Sequence, residues 1–196
     1  MSIIPKFLRN NNPITKRHVV KKIVKTRPQH LFSIVTDVDS YRNFLPFCKD
    51  SKVLRRSDCG TMFDASLVVG ISDIPPFDRL EEQYISRVTQ KHIQSKEDGN
   101  KEWIVEAQSI RSHLFDSLSS RWRITEYIDT TNSNHLNERE TKDELNIFSN
   151  VEFEVEISVA DPIVIAALDH VLEGVAEQQV VAFERQCEDR PHVNNK

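Results

Sequence analysis

The sequence predicts an α+β domain in which a curved, one-sided antiparallel sheet of six to seven strands wraps on one long C-terminal helix. From Val151 to Val159 every odd position is apolar (Val151, Phe153, Val155, Ile157, Val159), whereas Glu152, Glu154, Glu156 and Ser158 between them are polar. Successive side chains of a strand point to opposite faces, so this strand has one dry face and one acidic face. That pattern fits an antiparallel sheet covered on one side only. The same alternation recurs in Phe63, Ala65, Leu67, Val69 and Ile71. Finally, Asp161-Pro162 places a favourable N-cap before a favourable first helical residue, and a helical pattern follows to about Arg190. A one-sided sheet feeding such a helix forms a grip, a shape suited to holding an apolar ligand.

The elements follow in order. Residues 1–16 read as an unstructured or cleavable basic leader, residues 17–190 as the domain and residues 191–196 as a tail. Val19, Val20, Ile23 and Val24 mark a first strand over Arg17–Arg27, and Pro28 opens a short helix to about Val38. Asp39-Ser40 caps a second short helix, Tyr41–Leu45, which Pro46 ends. Strands are expected at Cys48–Arg56, Thr61–Ser72, Arg79–Val88, Ile93–Lys96, Glu102–Gln108, Ser119–Tyr127 and Glu144–Ser158. A proline-rich excursion, Asp73–Asp78, and a polar loop, Thr130–Asp143, interrupt them. The last helix, Pro162–Glu188, carries apolar residues at 165, 168, 172, 175/176, 180, 183 and 187, one stripe at steps of three and four. Gly174 within it either permits a close approach to the sheet or ligand, or is simply tolerated.

Composition narrows the function classes. No run approaches the ~20 apolar residues that span a bilayer. Cys48, Cys59 and Cys187 are odd in number and widely spaced, as in reduced thiols and unlike a disulfide frame or zinc site. The net charge of −4 hides an asymmetry: residues 1–36 hold eight basic side chains and no acid, leaving a net −12 for the remainder. The basic segment has the composition of a mitochondrial presequence; the alternative is a basic tail with Lys21–Arg27 in the first strand. The acidic remainder argues against nucleic acid as a partner.

Candidate chemistry is sparse. The seven histidines form no HxxxH pair, no CxxC is present, and no GxSxG, GxGxxG or P-loop occurs. No catalytic residue, metal or catalytic cofactor is therefore expected. Arg121 and Arg123, opposite Trp122, are expected to face Glu152, Glu154 and Glu156 in a surface charge ladder.

The run Tyr41-Arg42-Asn43-Phe44-Leu45-Pro46-Phe47-Cys48 is distinctive. With Ser51–Leu54, Ala65–Gly70, Leu114–Leu118, Trp122, the strand around Phe153 and Ala182–Arg185, in this order, the chain resembles the coenzyme Q-binding protein family, in particular its fungal mitochondrial members. That resemblance covers about His18–Arg190 and implies a START-like helix-grip domain of the polyketide cyclase superfamily. It further implies non-enzymatic binding of ubiquinone and related prenyl lipids at the matrix side of the mitochondrial inner membrane, in support of respiration and quinone synthesis. Proteins of quinone synthesis are implied partners. The chain departs from the family pattern at Phe47, where a Trp is usual, and in the Asp73–Asp78 and 130–143 segments.

Together these readings give an apolar cavity lined by Phe63, Leu67, Val69, Trp122, Ile124, Phe153 and Val155. Phe44 and Leu45 would close it from the short helix, and Leu168, Leu172 and Val175 from the long one. Tyr84, Arg87 and Ser109 are candidates for a polar head, and Ile74 and Phe77 for contact with a membrane interface. Two rivals stand beside this: a ribosome-associated interaction module, and a polyketide-cyclase-like enzyme, which would need polar side chains inside the cavity.

Overall fold

Seven antiparallel strands form one sheet in the order β1-β7-β6-β5-β4-β3-β2, seen in a computed structural model that describes residues 13–71, 80–95, 99–128 and 147–190. Residues 71, 80, 163 and 167–171 are described by backbone alone. The strands are β1 (Ile14–Val24), β2 (Cys48–Arg56), β3 (Met62–Ile71), β4 (Leu80–Gln94), β5 (Lys101–Arg111), β6 (Ser117–Ile128) and β7 (Ile147–Val159). Helix α1 (Pro28–Val35) and a 3₁₀ turn (Val38–Asn43) carry the chain from one sheet edge to the other, and α2 (Pro162–Asp189) crosses the concave face. Residues 1–12 of the leader, the tail, Asp73–Asp78 and Thr130–Asp143 lie outside the described residues, whereas Ile14, Thr15 and Lys16, expected in the leader, open β1 because they pair with Val159, Ser158 and Ile157 of β7.

Several boundaries differ from expectation for local reasons. The Ile93–Lys96 segment is no separate strand, because β4 runs through His92 and Ile93, paired with Trp103 and Glu102 of β5. The expected Tyr41–Leu45 helix is instead the 3₁₀ turn. Its side chains bond outward: Asp39 Oδ1 accepts from Val53 N at 2.7 Å, and the Tyr41 hydroxyl donates to the Val35 carbonyl. These bonds compete with a continuing α-helix.

The ladder of the curved sheet is irregular at its β2–β3–β4 end. Register shifts fall at Cys48/Asp50 and Val53/Arg55 in β2 and at Ile85/Ser86 in β4, and such bulges bend a strand and increase its twist. On the concave side, Phe63, Trp122, Ile124, Val151 and Phe153 are buried in one core with the α2 residues Ala176, Val180 and Phe183. Phe183, with no exposure, meets Trp122, Tyr41 and Phe44 edge-on at ring separations of 4.8, 5.2 and 5.2 Å. The cap of α2 is as expected: Val164 N donates to Asp161 Oδ1 at 3.3 Å.

The convex face carries the charge ladder, with Arg121 and Arg123 opposite Glu154 and Glu152 in register as expected, although their closest ion pairs are made elsewhere. Arg121 and Arg123 reach across to Glu106 and Glu102 of β5, while Glu154 and Glu152 pair with Arg17 and Lys21 of β1. Such exposed pairs contribute little individually.

Gly174 is not a close-approach site, since a Cβ built there meets nothing within 4 Å. Glycine within a helix costs about 1 kcal/mol relative to alanine. Gly174→Ala is therefore expected to raise unfolding stability by up to about 1 kcal/mol, read by urea denaturation; a loss would mean that the backbone needs the glycine.

Candidate functional site

A cavity of about 210 Å³ lies between the concave face and the middle of α2. Its origin is the size of the inward-facing residues. Where a filled core would place branched or aromatic side chains, β3–β6 present Gly70, Ser86, Ala107 and Ser120, and α2 presents Ala176. A close-packed interior leaves few voids larger than a water molecule, so this hollow is a feature of the residue choice. Gly70 also allows the Lys49 stem to lie across it: a Cβ there would come within 2.5 Å of Lys49 Cε.

Of the residues expected at the wall, Leu45 lines the cavity from the segment after the 3₁₀ turn and Leu67 and Val69 from β3. Trp122 lines it from β6, Phe153 and Val155 from β7, and Leu172 and Val175 from α2. Three others sit elsewhere. Phe63 and Ile124 are fully buried in the packed core beside the hollow, and Phe44 packs on Tyr41 and Phe183. The side chain of Leu168, and Ile74 and Phe77 entirely, lie outside the described residues.

The cavity is less dry than the alternation implied. Tyr84, Ser86, Ser120 and Gln179 line it, and none of these four side chains has a hydrogen-bond partner among the described residues. Of the polar candidates, Tyr84 faces the cavity with its ring 6.2 Å from that of Phe115. Arg87 instead points to the convex face, where it grips Asp64 at 2.9 Å, and Ser109 Oγ accepts the backbone N–H of Leu118. Ser86, Ser120 and Gln179 escaped sequence reasoning, although small polar residues at inward-facing strand positions are a usable sign of a hollow.

The described lining carries no charge. No Asp, Glu, Lys, Arg or His occurs among the described lining residues, and no group of three or more metal-ligating side chains occurs among the described residues. Burial pushes the Tyr41 and Tyr84 phenols and the Cys48 thiol above their ordinary ranges, so all three stay neutral at pH 7. The nearest buried acid, Glu82, serves the hairpin between β5 and β6. Its Oε1 accepts the Ser112 hydroxyl at 2.7 Å and the backbone N–H groups of His113 and Leu114 at 2.6 and 3.1 Å, which sets Phe115 at the cavity.

A curled antiparallel sheet gripping a C-terminal helix around an apolar hollow defines the START-like class of binding domains. The fold is shared with a START superfamily protein from Mycobacterium smegmatis, at a TM-score of 0.54 and 15% identity over 91% of this chain and 99% of that one. More specifically, the chain belongs to the polyketide cyclase / dehydrase and lipid transport family, whose sequence model matches residues 24–184. Among curated proteins it is similar to the mitochondrial coenzyme Q-binding protein COQ10 of Saccharomyces cerevisiae, 29% identical over 119 residues, 60% of this chain and 52% of that protein. The protein of the same name from Dictyostelium discoideum is 30% identical over 115 residues, 58% of this chain and 49% of that protein. The matched segment thus spans about half the length of these relatives.

The three thiols separate by environment. Hydrogen bonds with Ser57 and Thr61 bring exposed Cys59, in the β2–β3 turn, down to about 7. Burial raises Cys48, and lifts Cys187 to about 12. Because the thiolate is the nucleophile, limiting iodoacetamide at pH 7.5 is expected to modify Cys59 first and Cys48 and Cys187 slowly. Peptide mass mapping reads the order, and equal rates would contradict a buried Cys48.

Proposed function

We propose that this protein binds coenzyme Q (ubiquinone) and related prenyl lipids in the cavity and acts as a lipid chaperone or carrier. In this reading it serves coenzyme Q function in respiratory electron transport and efficient Q synthesis. The observation that carries the reading is a largely apolar hollow with no charge in its described lining, in a family whose description includes lipid transport beside polyketide cyclases and dehydrases. The names of the similar curated proteins support coenzyme Q as the ligand. Apolar burial drives binding at about 25 cal/mol per Å² removed from water.

The described lining residues support binding without turnover. Acid–base catalysis needs a group poised near the working pH. The phenols and the thiol at this cavity are instead pushed away from it, and the remaining polar groups are two hydroxyls and an amide. The acidic body of the chain disfavours nucleic acid.

The place of action in this proposal is the matrix side of the mitochondrial inner membrane, held peripherally. The relatives are named as mitochondrial, and among the described residues no helix is long and apolar enough to cross a membrane. Contact is assigned to Ile74 and Phe77, whose apolar side chains suit an interface. Replacing both with Asp is expected to weaken co-flotation with cardiolipin-containing liposomes while leaving the circular dichroism unchanged; undiminished flotation would remove this segment from the account.

The decisive experiment is mass spectrometry of organic extracts from purified, membrane-free protein, beside a folded Leu67→Lys variant that places a charge in the cavity. Quinone in the wild type and none in the variant is the expected result. A wild type that is empty and takes up no added quinone would overturn the proposal.

A further inference from the structure

We infer that the cavity is a receptor for one neutral, hydrogen-bond-accepting ring, and that the prenyl tail of the ligand lies outside it. This rests on the lipid-binding reading above and specifies which end of the lipid enters.

The first ground is size. An engineered protein cavity of ~150 Å³ takes up a single benzene, or roughly 25 Å³ per carbon. At that scale 210 Å³ holds on the order of eight ring-sized atoms, the six carbons and two oxygens of a bare quinone ring, so that the methyl and methoxy substituents of a ubiquinone head lie toward the opening. Several five-carbon prenyl units far exceed it. The walls also grade in depth. Phe153, Trp122, Ser86, Val88 and Val105 are almost fully buried, whereas Phe47, Val69 and Phe115 are half-buried and Pro46 is exposed. The opening therefore lies on the Pro46–Phe47 side, and a tail attached to a seated ring leaves there.

The second ground is polarity. A tail of prenyl units asks for no hydrogen bonds, and a hollow built for it would have none to offer. Here Tyr84, Ser86, Ser120 and Gln179 face the space without partners among the described residues, and Ser86 is only 4% exposed. Among the described residues no buried side-chain polar atom is left unpaired, so the polar atoms of these four are open to the cavity, where a ligand's polar atoms or water can bond them. All four side chains can donate, which suits carbonyl or ether oxygens. The described lining has no cationic residue, which disfavours a carboxylate or phosphate head.

The third ground is position. Tyr41, Cys48 and Tyr84 all line the cavity, and Tyr84 and Cys48 both act electrostatically on the Tyr41 phenol, so the three share one part of it. Gln179 stands one helical turn before Phe183, whose ring packs on Tyr41 at 5.2 Å. Gln179 and Tyr84 thus approach the same end from opposite walls, and the structure assigns them to the two sides of the ring.

The test uses quenching of tryptophan fluorescence, since Trp122 lines the cavity. The probes are dimethoxy-methylbenzoquinones bearing one, two or three isoprene units, with a four-unit prenyl alcohol as a ringless tail measured by competition. The wild type is expected to bind the one-unit quinone, to gain less than about threefold with each further unit, and to bind the prenyl alcohol at least tenfold more weakly. Tyr84→Phe and Gln179→Leu each lose one hydrogen bond with little change of shape and are expected to weaken quinone binding about fivefold to tenfold. Neither should affect the prenyl alcohol. Tightening of tenfold or more per isoprene unit, with both variants unaffected, would overturn the ring-receptor inference while leaving lipid binding intact. Binding of neither quinone nor alcohol would overturn both.

Discussion

The structure turns on one buried ring. Phe183, in the second half of α2, touches Trp122 of the sheet and Tyr41 and Phe44 of the connection between the two sheet edges. Edge-to-face aromatic contacts of this kind add to the area they bury, and their geometry fixes how the partners meet. Through this contact the helix, the sheet and the crossing segment share one anchor. Because it lies toward the C-terminal end of α2, the middle of that helix is held over the sheet without having to fill the space beneath it. A fold can keep a hollow only if the packing around the hollow is secured elsewhere, and here it is secured by aromatic residues at one end.

The convex and concave faces divide the work. The outer side carries alternating Glu, Lys and Arg residues that pair across strands, as between Arg87 and Asp64 or Arg17 and Glu154. These pairs keep one face wet and thereby fix the strand register, since a slip by one residue would carry charge into the interior. The inner side then needs no strict volume match. It is this division that lets small residues occupy the concave surface without loss of topology.

The alternation in β3 and β7 made the sheet legible, and Asp161-Pro162 with the stripe from Ile165 to Cys187 made the helix legible, because both periodicities state which face is buried. They do not state whether a buried face meets another side chain or empty space. Phe63 and Ile124 have the same inward orientation as Leu67 and Trp122, yet the first two are packed and the second two border the hollow. What separates them is the size of residues on neighbouring strands, such as Ala107 and Ser120, which is a property of register and not of any single stretch. The 3₁₀ turn was misread because Asp39 and Tyr41 bond to partners outside the local helix pattern, and only the fold reveals those partners.

The pairing of β1 with β7 brings the two ends of the domain together, so that Arg17 meets Glu154 across 137 residues of chain. The first strand to be synthesised is thus among the last to find its neighbour, and closing so long a loop is entropically slow. Until β7 arrives, Val19, Val20 and Ile23 wait without their sheet. The lysines and arginines spaced along β1 keep that orphan strand soluble and discourage it from pairing with other chains during the wait.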